Sequence, residues 1–308
     1  MLDAWRPRGR RPGGVTGHIL LAKLSLCYLM TASALTAYVA REPVLDPAGL
    51  ATIACVFLLC LGAATLNNYQ DREIDRRMQR TRGRPLARGE VSSRAAVAQA
   101  AALILAGTTG LLLADGSAAL PITGLIAVAF YNGIYTPLKR TTVLAIIPGA
   151  ICGTLPVLMG WMAAGVGDGG EGGVASPKLW ILMALFAVWQ LPHSWLVVLA
   201  HREDYWSSGL PSMLRVLSVE QLRALVLVWV ACFAVLTLCL PLYRVILSQI
   251  AGWALLANAL VLASVLGASL RGGGKGYRSL FRCLNLSLAL MMSLILIEGI
   301  ALSRIGPL

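Results

Sequence analysis

Charged residues are scarce in this 308-residue chain. Only 13% are Asp, Glu, Lys or Arg, whereas soluble domains typically carry about 25%. This scarcity argues against a water-soluble enzyme, and the 57% share of hydrophobic residues excludes a disordered chain, a coiled coil and a secreted disulfide scaffold. The seven cysteines show no Cys-x-x-Cys spacing. We interpret them as small buried hydrophobic residues.

The hydrophobic residues are grouped in long runs with few charges. A helix needs about 20 apolar residues to cross the hydrocarbon core of a bilayer, and only helices satisfy the backbone polar groups within such single segments. We therefore predict an all-α, polytopic membrane protein with a basic N-terminal arm over 1–17 and one transmembrane domain over 18–308. The predicted helices cover approximately 18–39, 48–68, 95–114, 118–137, 143–164, 179–200, 221–241, 246–268 and 281–304.

The distribution of basic residues predicts the orientation of these helices. Of the 26 Lys and Arg residues, 21 lie in the N-terminal arm or in the loops after the second, fourth, sixth and eighth helices. Because cytoplasmic loops are enriched in Lys and Arg, we expect the N-terminus and these loops to face the cytoplasm. The net charge of +12 is thereby explained by topology, and no nucleic-acid partner is expected.

A row of polar residues follows the second apolar segment. Asn67, Asp71 and Asp75 are spaced four apart, so on a helix they share one face with a rise of about 6 Å per step. An amide oxygen and two carboxylates suit Mg²⁺, which takes its remaining ligands from water and substrate phosphates. The alternative is a charged helix end with weak surface ion pairs. Arg80 and Arg84 follow closely and favour a phosphate-binding site.

A second acidic pair lies at the end of the sixth apolar segment. Glu203 and Asp204 are predicted to face the same side of the membrane as the first row. Two acidic clusters at one mouth would hold two Mg²⁺ ions about 4 Å apart and bridge a diphosphate. Lys139 and Arg140 lie on the same side and would add positive charge.

These residues resemble the motifs of the intramembrane, UbiA-type prenyltransferases, and within that superfamily the protoheme IX farnesyltransferase (heme O synthase) family. The resemblance rests on motifs that occur in order and at matching spacings. They are the run from Asn67 to Pro85, Tyr135 to Arg140, Gly153 to Pro156 with Gly160-Trp161, and Trp189 to His193 with Glu203 to Tyr205.

The resemblance implies a fold, an activity and a set of site residues. The fold is nine helices around a central cavity, and the activity is Mg²⁺-dependent transfer of a farnesyl group from farnesyl diphosphate to a vinyl group of heme b, with addition of water. It further implies a heme A synthase or oxidase assembly protein as partner. Because nothing in the sequence resembles an organellar presequence, we expect a bacterial inner-membrane location. By position, Mg²⁺ would be held by Asn67, Asp71, Asp75, Glu203 and Asp204, and the diphosphate by Asn67, Arg80, Arg84, Lys139 and Arg140, with Asp71, Asp75 and Asp204 catalytic.

Some apolar segments contain isolated ionisable residues. His193 is a candidate for a heme contact, either axial or to a propionate, or for a proton relay, because intramembrane ionisable groups are usually functional. A histidine satisfied by a neighbouring carbonyl is the alternative. We interpret His18 and Lys23 as groups that reach the membrane interface. Two other functions remain open, a prenyltransferase with an aromatic acceptor such as a quinone precursor, and a transporter. A transporter would require ionisable groups near the membrane midplane.

Overall fold

The computed structural model describes residues 14–115, 118–165, 173–271 and 274–305, and these residues form helices and connecting turns without a strand. The predicted N-terminal arm lies almost wholly outside the described residues. The α-helices are α1 Val15–Leu21, α2 Leu24–Arg41, α3 Pro47–Arg77, α4 Ser93–Asp115, α5 Ala119–Ala129, α6 Thr136–Leu138, α7 Ile146–Ala163, α8 Pro177–Ala200, α9 Arg202–Ser208, α10 Val219–Leu238, α11 Gln249–Arg271 and α12 Gly274–Ile305.

The predicted all-α membrane architecture is confirmed. Eight described spans are long and apolar enough to cross a bilayer, with the helical stretch from α5 to α6 counted as one span, and α1 with α2 makes a ninth if this bent pair is also counted as one. The prediction of one continuous helix over 18–39 is wrong in detail, because the chain bends by 49° between α1 and α2. Lys23 lies in this break with a left-handed backbone (φ 48°), a conformation that a non-glycine residue adopts only at a cost.

The third helix extends well beyond its apolar segment. Asp46 caps its first turn by accepting a hydrogen bond from the Gly49 amide at 2.6 Å, and Pro47 occupies the first helical position, where its missing N–H costs nothing. With 31 residues the helix is about 46 Å long, which exceeds the hydrocarbon core of about 30 Å. Its last third therefore carries the polar motif out of the bundle centre towards one end.

The span after α4 contains a local change of helix type. Between α5 and α6 the chain forms a π-helix over Phe130–Tyr135, a feature that is rare and frequently lies at functional sites. The Asn132 side chain is buried there and donates to the Ala63 carbonyl at 3.1 Å and to Gln70 Oε1 at 3.0 Å. These bonds fix the π-helix against α3, one turn from the polar motif.

Close helix crossings and an aliphatic core hold the bundle together. Gly160 of α7 lies directly on the backbone of α2, where a side-chain methyl group would overlap the carbonyl oxygen of Ala34. Such small residues let helices approach closely in lipid, where packing replaces the hydrophobic effect as the driving force. A large buried cluster, including Leu185, Phe233 and Leu288, joins α8, α10 and α12.

Candidate active site

Three side chains form a buried polar row on the last third of α3. Asn67, Asp71 and Asp75 have 1%, 5% and 4% of their surface exposed, whereas the side chain of Glu73 on the opposite face is 57% exposed. The four-residue spacing therefore places the polar row on the inner face of the helix, as predicted. Because buried carboxylates are costly without partners, the surrounding charges decide what this row can do.

Each member of the polar row contacts a basic side chain that comes from another part of the fold. These contacts neutralise the two carboxylates and fix the amide. Burial lowers the pKa of Lys139, and the neighbouring Asp71 carboxylate opposes that shift. The three contacts are Lys23 Nζ to Asn67 Oδ1 at 2.6 Å, Lys139 Nζ to Asp71 Oδ2 at 2.5 Å, and Arg84 Nη1 to both carboxylate oxygens of Asp75 at 2.9 and 2.8 Å.

The polar row opens into a cavity of about 290 Å³, which we call the polar chamber. Its lining carries more positive than negative charge, since four basic side chains face two carboxylates. Four guanidinium and ammonium groups together can bind the oxygens of a phosphate group. The lining includes the polar row together with Lys23, Arg80, Arg84 and Lys139.

A second cavity of about 450 Å³, which we call the apolar chamber, adjoins the polar chamber. It is lined mainly by aliphatic side chains such as Leu26, Val56 and Leu59. Tyr131 and Tyr135 line both chambers and stack on one another with ring centroids 5.5 Å apart. The arrangement places a charged pocket beside a space for a hydrocarbon chain, with aromatic rings between them.

The acidic pair Glu203 and Asp204 lies outside the polar chamber. Glu203 and Asp204 line an outer cavity of about 1010 Å³, whose lining shares only Arg80 with the polar chamber. Both oxygens of Asp204 accept backbone hydrogen bonds, from the Gln79 amide at 2.7 Å and the Arg80 amide at 3.1 Å. In this structure Asp204 therefore anchors the loop that carries Arg80 and Arg84. The role of the pair as metal ligands stays a prediction.

The donor set of the polar row fits a magnesium–diphosphate complex. Oδ1 of Asp71 is buried, accepts no hydrogen bond from the described residues, and lies 3.5 Å from Arg140 Nη2. The described residues contain no cluster of three or more His, Cys, Asp or Glu side chains able to hold a metal alone. Two carboxylates with an amide oxygen would leave positions for phosphate oxygens, the coordination that Mg²⁺ commonly adopts.

Two residues at the site were not identified from the sequence. Lys23 was interpreted as an interfacial group, but it lines the polar chamber and contacts Asn67. The available signal was its place inside an apolar segment, which marks a functional residue. Thr136 accepts a hydrogen bond from Asn67 Nδ2 at 2.8 Å and itself donates to the Tyr131 carbonyl at 2.9 Å. Thr136 thereby orients the Asn67 amide so that its Oδ1 accepts the hydrogen bond from Lys23.

Comparison with known proteins defines the class. Residues 28–286 match the UbiA prenyltransferase family. The fold agrees with solved structures of low sequence identity. Digeranylgeranylglyceryl phosphate synthase matches with a TM-score of 0.74 at 15% identity, covering 94% of this chain and 99% of the other. A UbiA homologue from Archaeoglobus fulgidus bound to GPP and Mg²⁺ matches with a TM-score of 0.64 at 16% identity, covering 91% and 99%. The chain belongs to the UbiA prenyltransferase family.

Within that family, the chain is similar to protoheme IX farnesyltransferases. The protoheme IX farnesyltransferase of Geobacter sulfurreducens is 36% identical over 233 residues, covering 76% of this chain and 81% of the relative. The protoheme IX farnesyltransferase of Oleidesulfovibrio alaskensis is 30% identical over 288 residues, covering 92% and 97%. This chain is therefore an integral membrane prenyltransferase whose relatives include protoheme IX farnesyltransferases. Membership of the family leaves no support for the transporter hypothesis.

Proposed function

We propose that the protein transfers a farnesyl group from farnesyl diphosphate to a vinyl group of heme b and so makes heme O. The observation that carries this proposal is the polar row, which is buried beside basic side chains in a chamber that shares part of its lining with an apolar chamber. The chain-long similarity to protoheme IX farnesyltransferases supports the choice of acceptor.

The polar chamber would bind the diphosphate through Mg²⁺ and basic side chains. Bound Mg²⁺ neutralises charge that develops on the departing diphosphate. Asn67, Asp71 and Asp75 would hold the first ion, and Glu203 with Asp204 a second at the outer cavity. The remaining phosphate oxygens would be bound by Arg80, Arg84, Lys139 and Arg140.

The transfer consists of ionisation of farnesyl diphosphate followed by attack of the heme vinyl group on the farnesyl cation. Ionisation breaks the bond between C1 of the farnesyl group and oxygen, so diphosphate leaves with the electron pair. The terminal vinyl carbon of heme b then bonds to C1, and water adds to the adjacent carbon with loss of one proton. Tyr131 and Tyr135, which line both chambers, would stabilise the allylic cation through their aromatic rings.

The setting of the reaction follows from the charge distribution. The polar row follows the second apolar segment, on the side where the Lys- and Arg-rich loops are predicted, so the active site would face the cytoplasm. The membrane would be a bacterial inner membrane. His193 would contact the heme. Heme O then passes to a heme A synthase or an oxidase assembly protein. Membrane lipids form the surroundings of the bundle.

The test is product formation in membranes supplied with heme b and farnesyl diphosphate. Chromatography of the lipid extract should show a more apolar heme. Asp71→Ala removes a ligand and leaves Lys139 and Arg140 without their carboxylate, so the rate should fall at least about 1000-fold, equivalent to about 4 kcal/mol. The matched control is Glu73→Ala, which removes the same charge from the exposed face of the same helix and should stay within about twofold.

Two results would contradict the proposal. Full activity of Asp71→Ala, at wild-type amounts in the membrane, would exclude the polar row as the metal site. A prenylated quinone precursor in the extract, in place of a farnesylated heme, would assign the aromatic acceptor and leave the metal site intact.

A further inference from the structure

A histidine and an asparagine from distant parts of the chain meet beside the apolar chamber. His193 of α8 and Asn285 of α12 approach with Nδ1 and Oδ1 2.9 Å apart. The Asn285 amide nitrogen donates to the Phe281 carbonyl at 2.8 Å, which directs the amide oxygen to the imidazole. Because that oxygen only accepts hydrogen bonds, Nδ1 must carry the proton. In the neutral ring, Nε2 is then the nitrogen with the lone pair.

The surroundings of His193 leave this lone pair available to the chamber. His193 is part of the chamber lining, and no described residue makes a hydrogen bond to Nε2. The Trp189 and Phe281 rings flank the imidazole, with centroids 4.4 and 4.8 Å from it. His193 is half-buried and Nε2 has no protein partner among the described residues, so this nitrogen is free to bind a ligand that enters the chamber.

The chemistry of the pair selects the kind of ligand. Nε2 in this tautomer has no proton to donate, which excludes a general acid and a hydrogen-bond donor to a carboxylate. Histidines that bind metals typically donate their other ring N–H to an oxygen that fixes the tautomer and the ring orientation. Neutral imidazole is also a common axial ligand of heme iron.

We propose that Nε2 of His193 is an axial ligand to the iron of the heme acceptor and that Asn285 is its positioning residue. This assignment rests on the proposed function, since it requires a heme in the apolar chamber. Coordination would hold the macrocycle beside α8 in the apolar chamber, whose lining also includes Tyr131 and aliphatic side chains suited to the farnesyl chain. Recognition would then depend on the iron as well as on the porphyrin.

The test is a spectroscopic titration of the purified full-length protein in detergent with heme b. The wild type should give the Soret band and the iron–histidine vibration of a histidine-ligated heme, and iron-free protoporphyrin IX should bind at least tenfold more weakly. His193→Ala should lose the histidine-ligated spectrum and at least tenfold in heme affinity, and added imidazole should restore the spectrum. Asn285→Leu should lower the iron–histidine frequency, whereas Asn285→Asp, which keeps an oxygen acceptor, should preserve or raise it.

The matched control is His18→Ala. His18 also pairs its Nδ1 with a side-chain amide oxygen, that of Gln99, but it lines none of the described cavities, so its replacement should leave the heme spectrum unchanged. An unaltered spectrum and affinity in His193→Ala would overturn the inference, as would equal binding of heme and iron-free porphyrin. If the wild type instead binds no heme and prenylates an aromatic acceptor, the proposed function itself has failed.

Discussion

Lys23 allows a direct test of how the polar chamber distinguishes a bare metal ion from a metal–diphosphate complex. The charged side chains that line the chamber are four basic groups and two carboxylates, so its net charge is positive. A lone Mg²⁺ would enter against this charge. A diphosphate brings negative charge, and therefore metal and diphosphate should bind far better together than metal alone.

The size of the effect follows from the position of the ammonium group. Lys23 Nζ lies 2.6 Å from Asn67 Oδ1, and an Mg–O bond is about 2.1 Å, so an ion on that oxygen would lie within about 4.7 Å of Nζ. Even with the dielectric constant of water, the repulsion is about 1.8 kcal/mol, or about twentyfold in affinity. Lys23→Met removes the charge and keeps an unbranched apolar side chain.

The assay is calorimetric titration of the purified protein with Mg²⁺, with and without inorganic diphosphate. Lys23→Met should bind Mg²⁺ alone about twentyfold more tightly and should bind magnesium diphosphate more weakly than the wild type. Lys178→Met is the matched control, because it removes a lysine from the first turn of α8, at the other end of the bundle. Unchanged or weaker binding of Mg²⁺ alone by Lys23→Met would refute the electrostatic reasoning.

Two further substitutions test the orientation of Asn67 in the site and the close packing of α7 against α2. Thr136→Val removes the acceptor that orients Asn67, so magnesium diphosphate affinity should fall about 10- to 100-fold, whereas Thr123→Val, whose hydroxyl bonds its own helix at Ala119, should not change it. Gly160→Ala places a methyl group against the α2 backbone and should destabilise the protein by about 1–3 kcal/mol, measured by thermal unfolding in detergent. Gly252→Ala, at a position with open space around it, should not lower the stability. An equal loss of stability in both variants would contradict the close crossing of α7 and α2 at Gly160.

The helices and the polar row were predictable because both depend on local periodicity. A run of about 20 apolar residues has few alternatives to a membrane helix, and a four-residue spacing places side chains on one face wherever the helix lies. The burial of Asn67, Asp71 and Asp75 agrees with this reasoning. The π-helix over Phe130–Tyr135 was not predicted, since its hydrogen bonds to α3 come from residues more than 60 positions away.

The residues around the row depend on packing between helices and were harder to predict. Lys23 was interpreted as interfacial because basic residues near the ends of spans usually are. The break between α1 and α2, which directs its side chain inward, has no local sequence signal of the Gly or Pro type. Asn285 lies outside the sequence motifs that carry the resemblance, and the packing of α12 against α8 brings it to His193.

The basic partners of the row solve a problem that exists before any substrate arrives. Two carboxylates buried in the bundle would be unstable alone, and Lys139 and Arg84 neutralise them at hydrogen-bonding distance. The same two side chains are the ones proposed to bind diphosphate. A substrate that brings its own Mg²⁺ can exchange partners with the site, since the metal takes the carboxylates and the phosphates take the cations. Lys139, Arg84 and the two carboxylates then have partners of opposite charge in both states, whereas a metal ion entering alone would leave Lys139 and Arg84 without theirs.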